Sequence, residues 1–217
     1  MNDHERSLRF PVDGSGMPLT RLPPHMIATV VTSLEMTERP RARPSPEAPF
    51  RLARWEAPRP DTYRALFRRV GAPWLWFSRL VMTDGELEAI TGDPAVDIHA
   101  VQDRRGIEIG LLELDFRKPG EVEIAFFGLV PELAGKGHGN WLMAQALSLG
   151  WRRDVARMWV HTCTLDHPGA LGFYRRHGFR PFERAVESFA DPRLAGILPR
   201  EAAPHVPLLD QEETTRR

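Results

Sequence analysis

The residues with the clearest chemical content lie in one run, Phe127-Gly-Leu-Val-Pro-Glu-Leu-Ala-Gly-Lys-Gly-His-Gly-Asn-Trp-Leu142. A strand-like apolar stretch leads to glycines at alternate positions, Gly135, Gly137 and Gly139, and these lead directly into a helical pattern. Glycine lets successive backbone N–H groups turn toward one point with no side chain in the way. The helix that follows adds its unpaired first-turn donors and the positive end of its dipole. Together these features suit a pyrophosphate, with Lys136 adding charge at the rim. A Walker A loop requires Ser or Thr after Gly-Lys, and here Gly137 follows Lys136. A dinucleotide fingerprint requires G-x-G-x-x-G and an acid about 20 residues on. The spacing here is G-x-G-x-G, and the nearest downstream acid is Asp154, close behind the helix. Two readings remain: a loop for a pyrophosphate of another kind, and a glycine-rich turn that holds no ligand.

Three further groups could do chemistry. In Glu121-Val-Glu-Ile-Ala the alternation places Glu121, Glu123, Ala125 and Phe127 on one face of a strand. A carboxylate on a strand that runs into the Phe126-Phe127 pair is unusual. Glu123 is therefore either a proton acceptor or a sheet-face acid paired with one of the many arginines. His161-x-Cys163, with His167 nearby, offers imidazole and thiol, but a zinc site would lack a fourth ligand. Cys163 also has no triad around it to make it a nucleophile. His161 and Cys163 read as buried strand residues, and no metal is expected.

These groups need elements to position them. Met26–Leu34 is rich in β-branched residues and reads as a strand added at a sheet edge. Phe50–Trp55 is a short strand. From Pro60 to Val70, Tyr63, Leu66, Phe67 and Val70 fall at helical spacing, and Gly71 suits the end. A short helix over Asp84–Ile90 precedes strands at Ala95–Gln102, Gly106–Phe116 and Glu121–Val130. A helix from His138 to Gly150, a strand over Arg157–Thr164 and a helix over Pro168–His177 complete the series. This order implies an α/β fold, a mixed sheet with a central antiparallel meander. Ten of the twenty prolines lie within residues 1–60 and four between Pro192 and Pro207, so both ends should be loop-rich. Residues 1–49 read as a proline-rich extension with one added strand, 50–190 as the compact domain, and 191–217 as an irregular tail.

Composition narrows the function classes. The 217 residues carry 29 basic and 29 acidic side chains, a balance that excludes a general nucleic-acid or membrane-surface binder. Among the basic residues only Lys118 and Lys136 are lysines. The single cysteine excludes an internal disulfide framework and a multi-cysteine zinc site. No stretch approaches the ~20 apolar residues of a membrane span. Asp3, Glu5 and early prolines do not read as a secretory signal. A soluble, cytoplasmic protein is expected.

The glycine loop has a companion downstream, Asp166-His-Pro-Gly-Ala-Leu-Gly-Phe-Tyr-Arg-Arg-His-Gly-Phe179. Through Ala170, Phe173, Tyr174, Gly178 and Phe179 this segment resembles the second signature of the GNAT N-acetyltransferase superfamily. Ala134-Gly-Lys-Gly-His-Gly139 resembles the first, Arg/Gln-x-x-Gly-x-Gly/Ala. The two stand in the family's order, one helix and one strand apart. The resemblance spans roughly Phe50 to Phe189 and is sharp from Glu121 to Phe179. Two positions depart from the pattern. Ala134 stands where the family usually has Arg or Gln, which removes one side-chain contribution to the loop, and His167 stands where many members have Asn.

The resemblance implies a GNAT-like mixed, mostly antiparallel sheet flanked by helices and splayed at the cofactor site. It implies acetyl-CoA as co-substrate, with no metal. The pantetheine arm would lie along Phe127, Leu129 and Val130, where Gly128 suits a bulge. The pyrophosphate would lie on Ala134, Gly135, Lys136, Gly137, His138, Gly139 and Asn140, with His167 and Phe173 beyond. The implied activity is transfer of an acetyl group to a primary amine by direct attack in a ternary complex. Glu123 would serve as base or water relay and Tyr174 as acid toward the departing thiolate, with the Phe127 N–H or a neighbour polarising the thioester carbonyl. Trp74, Trp76 and Phe77 would wall the acceptor pocket, with Arg79 placed to receive a carboxylate. An alternative is a non-catalytic CoA-binding regulatory or interaction module of the same fold, which needs neither Glu123 nor Tyr174. A third is an interaction protein that works through its proline-rich ends. The partner expected is a small-molecule or peptide amine, not nucleic acid or membrane, with a homodimer also open.

Overall fold

Period-two patterning in the middle of the chain becomes a single sheet. The computed structural model describes residues 20–41, 45–152 and 154–210. Residues 1–19, 42–44 and 211–217, which hold parts of the expected extension, linker and tail, lie outside the described residues, as does Arg153. The elements in chain order are β1 (Met26–Met36), β2 (Arg51–Trp55), α1 (Pro60–Gly71), α2 (Asp84–Thr91), β3 (Val96–Gln102), β4 (Glu108–Asp115), β5 (Glu121–Leu129), α3 (His138–Gly150), β6 (Arg157–Cys163), α4 (Ala170–Arg176) and β7 (Arg180–Ala190). Among the described residues seven strands form one sheet, in the order β2-β3-β4-β5-β6-β1-β7. Strands β2 to β5 make an antiparallel meander, β5 and β6 are parallel, and β1 pairs antiparallel with both β6 and β7. This is the mixed, mostly antiparallel α/β sheet the sequence implies.

The helices form where the sequence supplies both a stripe and a start. Pro60 occupies the first turn of α1, where no backbone donor is needed, and Tyr63, Leu66, Phe67 and Val70 are buried along one stripe. Thr83 and Glu86 close a reciprocal capping box on α2, with the Thr83 N–H donating to Glu86 Oε2 at 2.8 Å and the Glu86 N–H to Thr83 Oγ1 at 3.3 Å. One core cluster joins Leu34 and Met36 of β1, the α1 stripe, Ile124 of β5, Leu142 and Met143 of α3, and Tyr174 and Phe179.

The structure corrects three expectations. The strand near the N-terminus does not sit at a sheet edge: β1 is inserted between β6 and β7, and its Thr32, Leu34 and Met36 are buried at two-residue spacing. The edge on that side is β7, a strand that hydrophobic patterning does not announce. Arg180 to Ser188 are exposed throughout, so no alternation exists to be read. Its Pro181 is tolerated because an edge strand has one backbone side free of ladder bonds. Finally, α4 starts at Ala170, leaving Pro168 in the preceding turn.

The irregular C-terminal segment is tied down. Arg193 is buried, pairs with Asp191 at 2.8 Å, and donates to the carbonyls of Ala202 at 3.2 Å and Val206 at 2.8 Å. Leu198 and Ala203 thereby pack with Leu75 and Leu165 in a second apolar cluster.

Candidate active site

Two irregularities open the sheet at one place. Strands β5 and β6 pair only over Glu121–Glu123 and Arg157–Trp159, and beyond that point they diverge. In the same stretch β5 carries an extra residue against β4: Ile124 pairs with Leu114 and Phe126 with Glu113, leaving Ala125 as a bulge. The bulge inverts the facing of the rest of the strand. Glu123 and Phe126 share a face with Asp115 and Glu113, whereas Phe127 lies on the opposite face with Leu112. The expected common face of Glu123 and Phe127 is therefore overturned. So is the bulge at Gly128, which pairs regularly with Leu111. Gly128 serves close packing instead, since a Cβ there would come within 2.6 Å of Val70 Cγ1 on α1.

The divergence makes a cavity of about 740 Å³ that reaches both faces of the sheet. Toward α3 and α4 it is lined by Phe127, Leu129, the glycine loop, His167, Phe173 and Tyr174. Gly135 and Gly137 hold φ of +73° and +78°, a left-handed backbone that favours glycine, and a Cβ at either would meet nothing within 4 Å. The loop is therefore free on its outer side. Gly137 caps the start of α3 with no side-chain hydrogen bond, leaving first-turn N–H groups without a side-chain acceptor. Donors converging at the positive end of a thirteen-residue helix fit a pyrophosphate. Of the expected cofactor residues, Phe127, Leu129, Ala134, Gly135, Gly137, His138, Gly139, Asn140, His167 and Phe173 line the cavity. Val130 is buried and Lys136 is exposed, and neither lines it.

Tyr174 stands at the waist, its ring centroid 6.1 Å from Phe127, 5.6 Å from Phe173 and 6.0 Å from Phe179. Burial, and then the Asp166 carboxylate, push its hydroxyl above the ordinary tyrosine range, so it is held protonated. Among the described residues that hydroxyl has no hydrogen-bond partner, so its proton is open to a ligand. Cys163 is also raised, by burial first and Asp166 second, which keeps it a thiol and a poor nucleophile.

On the α1 side the cavity is lined by charged and aromatic side chains. Glu123 Oε1 lies 3.2 Å from His161 Nδ1. The hydrogen bond to Glu123 raises the imidazole pKa above its ordinary value against the opposing effect of burial, and the charges of Glu123, Asp166 and Glu187 add to the rise. Asp166 is fixed by three donors: Trp76 Nε1 at 3.4 Å, the Thr162 hydroxyl at 2.8 Å and the Cys163 N–H at 2.9 Å. Trp74, Trp76 and Phe77 line the cavity, and Phe189 of β7 packs on Phe77 at 4.9 Å. Arg79 also lines it, but its guanidinium is committed. Arg79 Nη2 donates to the fully buried Glu113 at 2.5 Å, and the Tyr63 hydroxyl donates to the other oxygen of that carboxylate at 2.5 Å. Burial opposes the Arg79 charge, yet Glu113 outweighs it and raises the Arg79 pKa. The expectation that Arg79 is free to receive a carboxylate is corrected accordingly.

His161, Asp166 and Glu187 line this side of the cavity together, a grouping that pattern reading missed. His161 and Cys163 do not combine with His167. His161 turns to Glu123, while His167 Nδ1 accepts from the Gly169 N–H at 3.0 Å. Among the described residues no group of three or more His, Cys, Asp or Glu side chains could hold a metal ion, and no helix is long and apolar enough to cross a membrane.

Comparison with known proteins agrees with this architecture. Residues 106–179 match the model of the acetyltransferase (GNAT) family. A GCN5-related N-acetyltransferase from Sphaerobacter thermophilus superposes with a TM-score of 0.54 at 19% identity, over 75% of this chain and 51% of its own. A functionally unknown conserved protein from Staphylococcus epidermidis superposes with a TM-score of 0.53 at 12% identity, over 76% of this chain and 63% of its own. The chain thus spans less than two thirds of either neighbour. No curated protein matches in sequence. The chain has the GNAT fold, and its central segment carries the GNAT acetyltransferase pattern.

Proposed function

We propose that this protein is an N-acetyltransferase that moves an acetyl group from acetyl-CoA to a primary amine by direct attack, both substrates being bound together. The observation that carries this reading is the opening through the sheet. Strands β5 and β6 part after Glu123 and Trp159, so a ligand on the glycine loop can reach the Glu123 side without leaving the cavity. The backbone from Ala134 to Asn140 would hold the pyrophosphate, and Phe127 and Leu129 would flank the pantetheine arm. Acetyl-CoA supplies the activated acyl group. The chain supplies the rest: Tyr174 holds a proton for the leaving sulfur, and Glu123 anchors the basic group that strips the acceptor ammonium. An amine whose pKa is near 10 must lose its proton before it can attack, so a base at this end is required near neutral pH. Phe127 to Val130 offer backbone groups that would orient the acyl donor. The acceptor is a small-molecule or peptide amine, and a cytoplasmic location suits the thiol and the co-substrate.

The test has two stages. Acetyl-CoA should raise the Tm by several degrees at concentrations well above its Kd, and no rise at millimolar ligand would remove the cofactor assignment. An amine panel with product mass should then give an addition of one acetyl group. A Tm rise without turnover on any amine would favour the non-catalytic CoA-binding alternative.

A further inference from the structure

An imidazole stands beside the Glu123 carboxylate in the cavity, and that carboxylate raises its affinity for a proton. Glu123 Oε1 is 3.2 Å from Nδ1 of His161, so Nδ1 carries the hydrogen that Glu123 accepts and the Nε2 lone pair is left outward. The His161 side chain is 48% exposed and lines the cavity, so a ligand can reach it. Parallel pairing of Glu123 with Trp159 fixes the geometry, because His161 lies two residues beyond Trp159 and returns to the same face.

Resting on the acetyltransferase reading above, we infer that His161 is the catalytic base, with Glu123 as its positioning residue: Nε2 takes the proton from the acceptor's ammonium. The N–H bond of the ammonium breaks and its electron pair stays on nitrogen. The proton forms an imidazolium, which returns it to solvent after the amide bond has formed. The second nitrogen proton also leaves to solvent, and the departing sulfur takes the Tyr174 proton, which solvent replaces. No oxidant or further reactant is needed.

The surroundings favour this assignment. Glu123 from β5, Glu187 from β7 and Asp166 from the β6–α4 connection all raise the affinity of the imidazole for a proton. That brings the base closer to the amine's own pKa, which makes it more effective. The other charged side chains lining the same cavity on this side are Asp115, Arg117 and Arg79. Asp115 and Arg117 neutralise each other at 2.5 Å, and Arg79 is held by Glu113. The carboxylates that remain give this mouth a negative bias, which draws in a cationic amine. The pH sign follows from the direction of the shift. His161 accepts a proton only when neutral, so activity is low below its raised pKa and rises with pH through it.

The experiment measures kcat/KM for a probe amine, 2-phenylethylamine or 1,4-diaminobutane, from pH 6 to 10 in wild type, His161→Gln and Glu123→Gln. Wild type should rise to a plateau with a midpoint above the ordinary histidine value. His161→Gln should lose at least about a hundredfold near neutrality, and its rate should follow the amine's own titration. Glu123→Gln should shift the midpoint to lower pH and lower the plateau. The ring-proton resonance missing from the His161→Gln spectrum should show the same downward shift in Glu123→Gln. A wild-type rate and pH profile in His161→Gln would overturn the proposal, as would an unmoved His161 midpoint in Glu123→Gln. Acetyl-CoA should raise the Tm of all three proteins alike. Absence of that rise in wild type counts against the acetyltransferase reading, whereas an unchanged His161→Gln profile with the rise intact counts against His161 alone.

Discussion

The two ends of the cavity are built on different principles. The glycine-loop end is a backbone site. Gly135, Gly137 and the uncapped start of α3 present N–H groups from one short segment, and the side chains there contribute little. The opposite end is a side-chain site assembled from segments far apart in the chain: Glu123 on β5, His161 on β6, Glu187 on β7, Asp166 beyond β6, and the Trp74–Arg79 turn. A backbone site tolerates exchange of its side chains, and Ala134 stands where the family pattern has Arg or Gln. A side-chain site depends on buried anchors and on strand register, and it should fail when either is lost.

The largest effect should come from the buried anchor of the side-chain end. Glu113 is fully buried and takes hydrogen bonds from both Arg79 and Tyr63, each at 2.5 Å. Glu113→Ala strands a buried guanidinium and a buried phenol together, and breaking a buried pair on one side costs about 3–5 kcal/mol. Chemical denaturation should show a loss of that size. The folded fraction should still gain Tm from acetyl-CoA, because the loop end shares no partner with this cluster. If Glu113→Ala also abolishes the acetyl-CoA effect while remaining folded, the two ends are not independent.

Tyr174 sits where the two ends meet, and its variant comes next in size. Tyr174→Phe keeps the ring packing against Phe127, Phe173 and Phe179 and removes only the hydroxyl. Turnover should fall by about a hundredfold, the lower part of the range for a general acid, with the Kd for acetyl-CoA unchanged. Unchanged turnover would reduce Tyr174 to a packing aromatic.

The same contrast explains what was legible in the sequence. The glycine loop, the strands of the meander and α1 to α4 could be read because each announces itself within a few residues, through glycine spacing, caps or a repeating stripe. The position of β1 could not, since nothing in Met26–Met36 records that its neighbours, β6 and β7, come from the far end of the chain. Strand β7 was invisible because an exposed edge carries no alternation. The Ala125 bulge was equally silent, for one unpaired residue leaves the apolar pattern of Ile124–Leu129 intact while turning Phe127 away from Glu123. The Glu123–His161 pair depends on that geometry and on a parallel register three residues long, so only the folded sheet brings the two side chains together.

The smallest expected effect is the most specific probe of the backbone end. Gly137 holds φ of +78° at the start of α3, and no atom lies within 4 Å of the Cβ an alanine would add. Gly137→Ala therefore meets no steric obstacle, and its cost is conformational, about 1–2 kcal/mol for a non-glycine residue in the left-handed region. The loop is exposed, so in the free protein it can relax away from that geometry and little stability should be lost. Binding must then restore the strained backbone, and the cost appears in the ligand equilibrium. The Kd for acetyl-CoA should rise by about tenfold, since 1.4 kcal/mol is one decade, while the KM of the amine stays near wild type. Gly137→Asn should lose less, because asparagine tolerates left-handed backbone better than alanine. An equal loss in both variants would show that the added side chain obstructs the ligand directly, and a loss in amine KM would show that the loop reaches across to the side-chain end.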